Sequence, residues 1–168
     1  MGSRLQRWLW ESVILLGLLF GVILLVDAWH TPQKLPMSVN AQLQTLNGET
    51  ITLEELSAER PLLLYFWASW CGVCRFTTPE VATLFARGEN VMTIAFRSGS
   101  SHEVSRNLTH KGVVFPVIND ANGTLSRQLG ISVTPSFMVI SKGRVLTTTT
   151  GWTSSWGMKL RVWWAGRF

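Results

Sequence analysis

Hydrophobic and polar positions alternate between runs and stripes along this chain, and the runs stand out first. Residues 12–26 read SVILLGLLFGVILLV, almost wholly apolar. Adding Trp8, Leu9 and Trp10 extends the stretch, with Glu11 as its one charge. Trp8 to Ala28 reaches the roughly 20 residues needed to cross a hydrocarbon core. No face of it is polar, which argues against a buried soluble helix. Residues 62–67 (LLLYFW), behind Pro61, form a continuous apolar run that fits a strand buried on both faces. Residues 91–96 repeat that pattern. Between the two, residues 71–86 predict a helix. Residues 101–111 predict a polar helix with Ser101 as its N-cap. Residues 41–46 and 50–53 read as short strands around the Asn47-Gly48 turn. Residues 53–58 suggest a short helix, and residues 125–129 a short helix or turn. Residues 136–140 and 144–149 predict an antiparallel hairpin across Ser141-Lys142-Gly143. A last helix is expected from Thr153 onward. Trp152, Trp156, Leu160 and Trp164 recur every four residues, a stripe expected to pack against the sheet, with a membrane-facing or partner-facing role as the alternative. Strands alternating with helices around a buried sheet predict an α/β layer fold.

The flanks of the first apolar run set its expected topology. Arg4 and Arg7 precede it, Asp27 and His30 follow, and Trp8, Trp10 and Trp29 lie at its edges, where aromatic residues favour the headgroup region. The positive-inside rule then puts the N-terminus in the cytoplasm and the rest of the chain outside. Cleavage as a signal peptide after Val26-Asp27-Ala28 is the rival. The run exceeds the usual apolar core of about 7–15 residues in such peptides, which favours an uncleaved anchor. Residues 1–29 are thus read as cytoplasmic N-terminus and transmembrane anchor, residues 30–36, with two prolines, as linker, and residues 37–168 as one domain.

Charge narrows the partners. The 168 residues carry 15 Lys+Arg and 10 Asp+Glu, a net +5 with no basic run, so no nucleic-acid footprint is present. The chain holds two cysteines, spaced Cys71-Gly72-Val73-Cys74, which excludes a structural disulfide framework. The pair follows a strand and opens a helix. Helix N-termini present unpaired N–H groups and a positive dipole end, which stabilise a thiolate. Cys71 is therefore expected to be the acidic, partly exposed nucleophile, because only the thiolate attacks a disulfide. Cys74, one turn further on, can reach Cys71 and resolve a mixed disulfide. Structural zinc takes four Cys or His ligands. His30, His102 and His110 are not in paired ligand spacing, so no metal site is assigned. Thiolates are soft enough for Cu(I), so a copper-binding or metallochaperone module using the same cysteines is the alternative function.

Phe66-Trp67-Ala68-Ser69-Trp70-Cys71-Gly72-Val73-Cys74 with Pro79 resembles the thioredoxin superfamily. Residues 40–152 look most like its membrane-anchored, TlpA-like branch: Leu46-Asn47-Gly48 with Leu53, Phe115-Pro116-Val117 with Asp120, Gly123 and Gly130, Val133-Thr134-Pro135, and Lys142-Gly143 with Gly151 all match. The resemblance implies a thioredoxin fold, a central mixed sheet flanked by helices. It implies Cys71 as the attacking and Cys74 as the resolving cysteine, with no cofactor. Pro135 would be cis and face the pair, Thr134 would offer backbone groups to an extended substrate, and Trp70 would shield the site. Protein or peptide thiols and disulfides would be the substrates, and a transmembrane reductase the electron donor. The implied place is the bacterial inner membrane, with the domain in the periplasm. Two positions depart from the family. Tyr65 stands where many relatives carry a buried acid or amide, and Thr77 where many TlpA-like proteins carry Glu. Both carboxylates are linked to proton transfer, so their absence leaves the proton acceptor unassigned.

Overall fold

In the computed structural model, residues 41–167 are described, together with positions 10, 11, 14, 17 and 18. Among the described residues no helix is long and apolar enough to cross a membrane. The anchor expected at 8–28 and the linker at 30–36 fall largely or wholly outside them. Residues 33–168 form one compact unit.

The strands are β1 (Leu43–Gln44), β2 (Thr50–Ile51), β3 (Leu62–Trp67), β4 (Val91–Phe96), β5 (Val117–Asp120), β6 (Ser136–Ser141) and β7 (Arg144–Thr150). The helices are α1 (Leu53–Ser57), α2 (Cys74–Ala86), α3 (Ser101–Lys111), α4 (Thr124–Gln128) and α5 (Ser155–Ala165). The main sheet runs β5-β4-β3-β6-β7. β3 pairs in parallel with β4, and β4 with β5, while β6 is antiparallel to both β3 and β7. This is the thioredoxin fold, with β3 at its centre.

Successive residues of a strand point to opposite faces, so the two apolar runs feed two cores at once. Leu63, Tyr65, Trp67, Val91 and Ala95 join Val81, Leu84, Val104, Leu108 and Met158, under α2, α3 and α5. Leu62, Leu64, Phe66, Met92 and Ile94 join Leu53, Leu125 and Leu129, under α1 and α4. Every residue of β3 and β4 is buried.

Several expectations need correction. Residues 41–46 and 50–53 read from the sequence as two short strands, but the ladder joins only Leu43–Gln44 to Thr50–Ile51. Thr45 closes the turn, its N–H donating to Glu49 O at 2.9 Å, and also bridges Ile118, while the Leu46 N–H donates to Val117 O at 2.8 Å. The segment reaches β5 because the open edge of that strand offers free backbone groups. Residues 117–120 form a strand that the sequence pattern, read there only as a signature, did not announce. The cap of α3 is Ser100, not Ser101: its hydroxyl accepts from the Glu103 N–H, and the Glu103 carboxylate accepts from the Ser100 N–H at 2.7 Å, a reciprocal capping box. Helical hydrogen bonding in α2 begins at Cys74, not Cys71, although Val73 already has helical backbone angles. The stripe on α5 is the largest departure. Trp152, Trp156, Leu160 and Trp164 face outward, and Met158 and Ala165 pack inward in their place. A four-residue spacing defines a stripe without saying which side it occupies; here the smaller Ala165 and flexible Met158 fill the space against sheet and α2.

Candidate active site

The site lies at the end of β3. The chain leaves the sheet after Trp67 and turns, the Cys71 N–H donating to Ala68 O at 3.2 Å. Cys71 and Cys74 form a disulfide with a Cα–Cα separation of 5.3 Å. The two sulfurs are not equivalent. Cys74, the first residue of α2, is 1% exposed and faces the core, whereas Cys71 is half-buried. The Cys74 N–H, one of the unpaired donors at the start of α2, points at Cys71 Sγ at 3.1 Å. When the bond is reduced, that donor and the helix dipole both favour the thiolate at Cys71. Moving the helix start to Cys74 therefore preserves the argument made from the sequence and supplies its specific donor.

Two residues that the sequence reading missed hold this turn. Ser98 Oγ accepts from the Ser69 N–H at 2.9 Å and donates to Phe96 O at 3.1 Å. Arg97, at φ 46°, presents its carbonyl to Trp70 Nε1 at 3.0 Å. A non-glycine residue at positive φ is uncommon, and here it aims a backbone acceptor at the active-site loop. No motif marks Arg97-Ser98; its only signal is its place at the end of a buried strand. Gly123 closes against the same corner, at φ +68°, where an added Cβ would stand 2.6 Å from Phe96 Cε2.

The β3–β6 register pairs Phe66 with Ser136, so the loop before β6 arrives at the same end of the sheet as the cysteines. The Thr134–Pro135 bond in that loop is cis. Pro135 is buried and Thr134 half-buried, and the Thr134 hydroxyl has no hydrogen-bond partner. Pro135 O accepts from the Gly151 N–H at 2.8 Å, and Ser136 Oγ donates to Val133 O at 2.8 Å. Trp70, Val73, Phe76 and Val133 are exposed in the two loops and on the first turn of α2, an apolar rim at this end of the sheet.

Beneath α2 lies a hydroxyl cluster. Tyr65 Oη is 2.8 Å from Thr77 Oγ1 and 3.0 Å from Thr78 Oγ1, all three side chains buried. Thr77 also donates to Cys74 O at 3.4 Å. Burial pushes the Tyr65 hydroxyl above the ordinary tyrosine value, against the smaller opposing pull of Thr77 and Thr78. The two positions that depart from the family are thus one hydrogen-bonded unit. Asp120, a buried carboxylate, is committed elsewhere: it accepts from the Leu125 and Ser126 N–H groups at the start of α4, at 3.2 and 2.8 Å. Among the described residues no group of three His, Cys, Asp or Glu could hold a metal ion.

A strand–turn–helix carrying a Cys-x-x-C disulfide, with one sulfur reachable and the other buried, in a thioredoxin fold, defines a thioredoxin-like thiol–disulfide oxidoreductase. The chain belongs to the AhpC/TSA family, which its residues 34–149 match. It is 41% identical over 126 residues to a thioredoxin-like protein of Haemophilus influenzae, covering 75% of each chain. It is 26% identical over 137 residues to the thiol:disulfide interchange protein DsbE of Pseudomonas aeruginosa, covering 77% of this chain and 76% of that one. Among solved structures its fold is similar to StoA from Bacillus subtilis, with a TM-score of 0.63 at 20% identity over 71% of this chain and 93% of the other. A secreted Mycobacterium tuberculosis disulfide oxidoreductase homologous to E. coli DsbE gives a TM-score of 0.61 at 20% identity, over 78% of this chain and 98% of the other.

Proposed function

We propose that this protein is a membrane-anchored periplasmic disulfide reductase of Gram-negative bacteria, acting in copper and redox stress tolerance. The observation that carries the chemistry is the unequal burial of the two sulfurs: Cys71 half-buried beside an apolar rim, Cys74 at 1% exposure. In the reduced enzyme the Cys71 thiolate attacks one sulfur of a substrate disulfide, forms a mixed disulfide and releases one substrate thiolate, which takes up a proton. Cys74, deprotonated, then attacks Cys71 Sγ, expels the second substrate thiolate and leaves the Cys71–Cys74 disulfide. Two electrons have passed to the substrate, and a donor dithiol must restore the pair. Trp70, Val73 and Phe76 would bury apolar side chains of the substrate, and the loop of Thr134 and Pro135 would hold its extended backbone.

The finer parts of this reading have their own supports. The apolar segment behind Arg4 and Arg7 supports a single-pass inner-membrane anchor with the domain outside. One structural neighbour is a secreted disulfide oxidoreductase, which favours an exported compartment. The resemblance to the TlpA-like branch, and through the short anchor to the suppressor-of-copper-sensitivity proteins, supports a transmembrane reductase as donor and the copper-stress setting. α3 is the one helix between β4 and β5, so the chain lacks the large helical insertion of a dedicated oxidase. An exported pair oxidises readily, so a reduced state needs that continuing electron supply.

Exchange assays on residues 35–168 test the chemistry. Cys71→Ser is expected to abolish turnover and Cys74→Ser to accumulate mixed disulfides; normal exchange rates in Cys71→Ser would sink the mechanism. Near-stoichiometric Cu(I) held by the pair, without turnover, would favour the copper-binding alternative. Alkylation trapping in living cells tests direction: the pair is expected mostly reduced. A pair that stays oxidised when the candidate donor is overproduced would leave oxidation or exchange.

A further inference from the structure

We infer that the outward face of α5 is a docking surface for an anionic lipid bilayer. α5 carries two apolar stripes on opposite sides. Met158, Val162 and Ala165, at helical spacing, face the sheet and α2, Met158 and Ala165 being fully buried. Trp156, Leu160 and Trp163, with the same i, i+4, i+7 spacing, face out at 76, 58 and 58% exposure, and Trp152 precedes them at 67%. A helix already satisfied on its core side has no structural need of bulky indoles on the other. Their cost in water points to an occupant.

Two features select a lipid surface over a second copy of the chain. The first is the charge around the stripe. Residues 121–168 contain six Lys or Arg (Arg127, Lys142, Arg144, Lys159, Arg161 and Arg167) and no Asp or Glu. Three of the six lie on α5 or within two residues of its end. A two-fold contact through this face would set these cations against their own copies, with no carboxylate in the segment to pair with them. Anionic headgroups meet the same charges favourably. The second feature is the residue mixture. Tryptophan places its ring at the depth of the headgroups with its N–H toward water, and long basic side chains reach outward from the same level. The Arg167 guanidinium lies 3.9 Å over the Trp163 ring, joining a cation to the apolar face. Trp and Leu on one face with Lys and Arg around them is the composition of helices that lie in the plane of an interface.

The test is made without the N-terminal segment, so that any binding is read from this surface alone. Residues 33–168 are one compact unit with the whole main sheet and both cores, so this fragment is used without residues 1–32. It is mixed with vesicles of phosphatidylglycerol and phosphatidylethanolamine, and with vesicles of phosphatidylcholine alone, and sedimented. The expected result is co-sedimentation with the anionic vesicles, weakened by salt, with a blue shift of tryptophan emission. Trp156→Ala/Leu160→Ala/Trp163→Ala is expected to lower partitioning about tenfold or more, with disulfide exchange toward a soluble substrate unchanged. Lys159→Gln/Arg167→Gln, which leaves the apolar stripe intact, is expected to weaken binding and flatten its salt dependence. A fragment that stays in the supernatant with anionic vesicles overturns the proposal. So does equal binding to phosphatidylcholine, or a concentration-dependent dimer that the triple variant abolishes while lipid binding is absent.

Discussion

Tyr65 is where a single residue changes the chemistry of the site. Its hydroxyl, with those of Thr77 and Thr78, forms a buried cluster of neutral donors and acceptors that reaches the Cys74 carbonyl through Thr77. A hydroxyl held above the usual tyrosine pKa is protonated throughout the physiological range, so this cluster adds no charge to the core beneath α2. Tyr65→Phe should cost about 1 kcal/mol, because two buried threonine hydroxyls each lose a partner. The pH dependence has a definite sign. The folded-state pKa is raised, so the tyrosine's contribution is complete below the unfolded pKa and is lost as pH rises toward the folded one. Urea unfolding of the oxidised domain should therefore show wild type ahead of Tyr65→Phe at pH 8, and the gap narrowing above about pH 10. A gap that widens with pH would contradict the burial argument.

At the scale of elements, short connections aim the long strands. Arg97 and Ser98 tie the end of β4 to the active-site turn, and the β3–β6 register brings the Pro135 loop to the same edge. α3 packs through only Val104 and Leu108 of its 11 residues, so the capping box at its start is a sizeable part of what holds it. The hydrogen bond to Ser100 also holds the exposed Glu103 carboxylate below its usual range. Ser100→Ala should destabilise the domain by about 1 kcal/mol and lower the thermal midpoint by about 3–6 °C. Ser101→Ala should do much less, since Ser100 is the residue that caps. The capping contribution of ionised Glu103 is present above the unfolded carboxylate pKa and fades as pH falls through the lowered folded value. The deficit of Ser100→Ala against wild type should accordingly shrink in acid.

For the whole molecule, the proposed anchor and the proposed lipid-facing α5 make separate demands. A single-pass anchor predicts that a reporter fused after Phe168 is active outside the cytoplasm. It also predicts that full-length protein stays in the membrane after alkaline washing. Release as a shortened soluble form would point to cleavage after Ala28. Removing the exposed stripe of α5 leaves the anchor prediction unchanged, so the two can fail independently.

The sequence by itself determined what local chemistry and period-two burial can determine. Leu62–Trp67 and Val91–Phe96 appear as strands because a run apolar at every position must be covered on both faces. Cys71 and Cys74 were legible as the reactive pair because their spacing and their place before a helix are local properties. Tertiary structure decided whatever depends on a distant partner. The short β5 carries no run long enough to stand out and exists through its ladder to β4. Thr45 closes its own hairpin and also bridges that strand's edge. Arg97 and Ser98 acquire a role only when the β4 corner meets the turn at Ser69 and Trp70. The α5 stripe has the same four-residue period whether it faces in or out. Only the fit of Met158, Val162 and Ala165 against the sheet assigned the inner face to them and left the tryptophans outside.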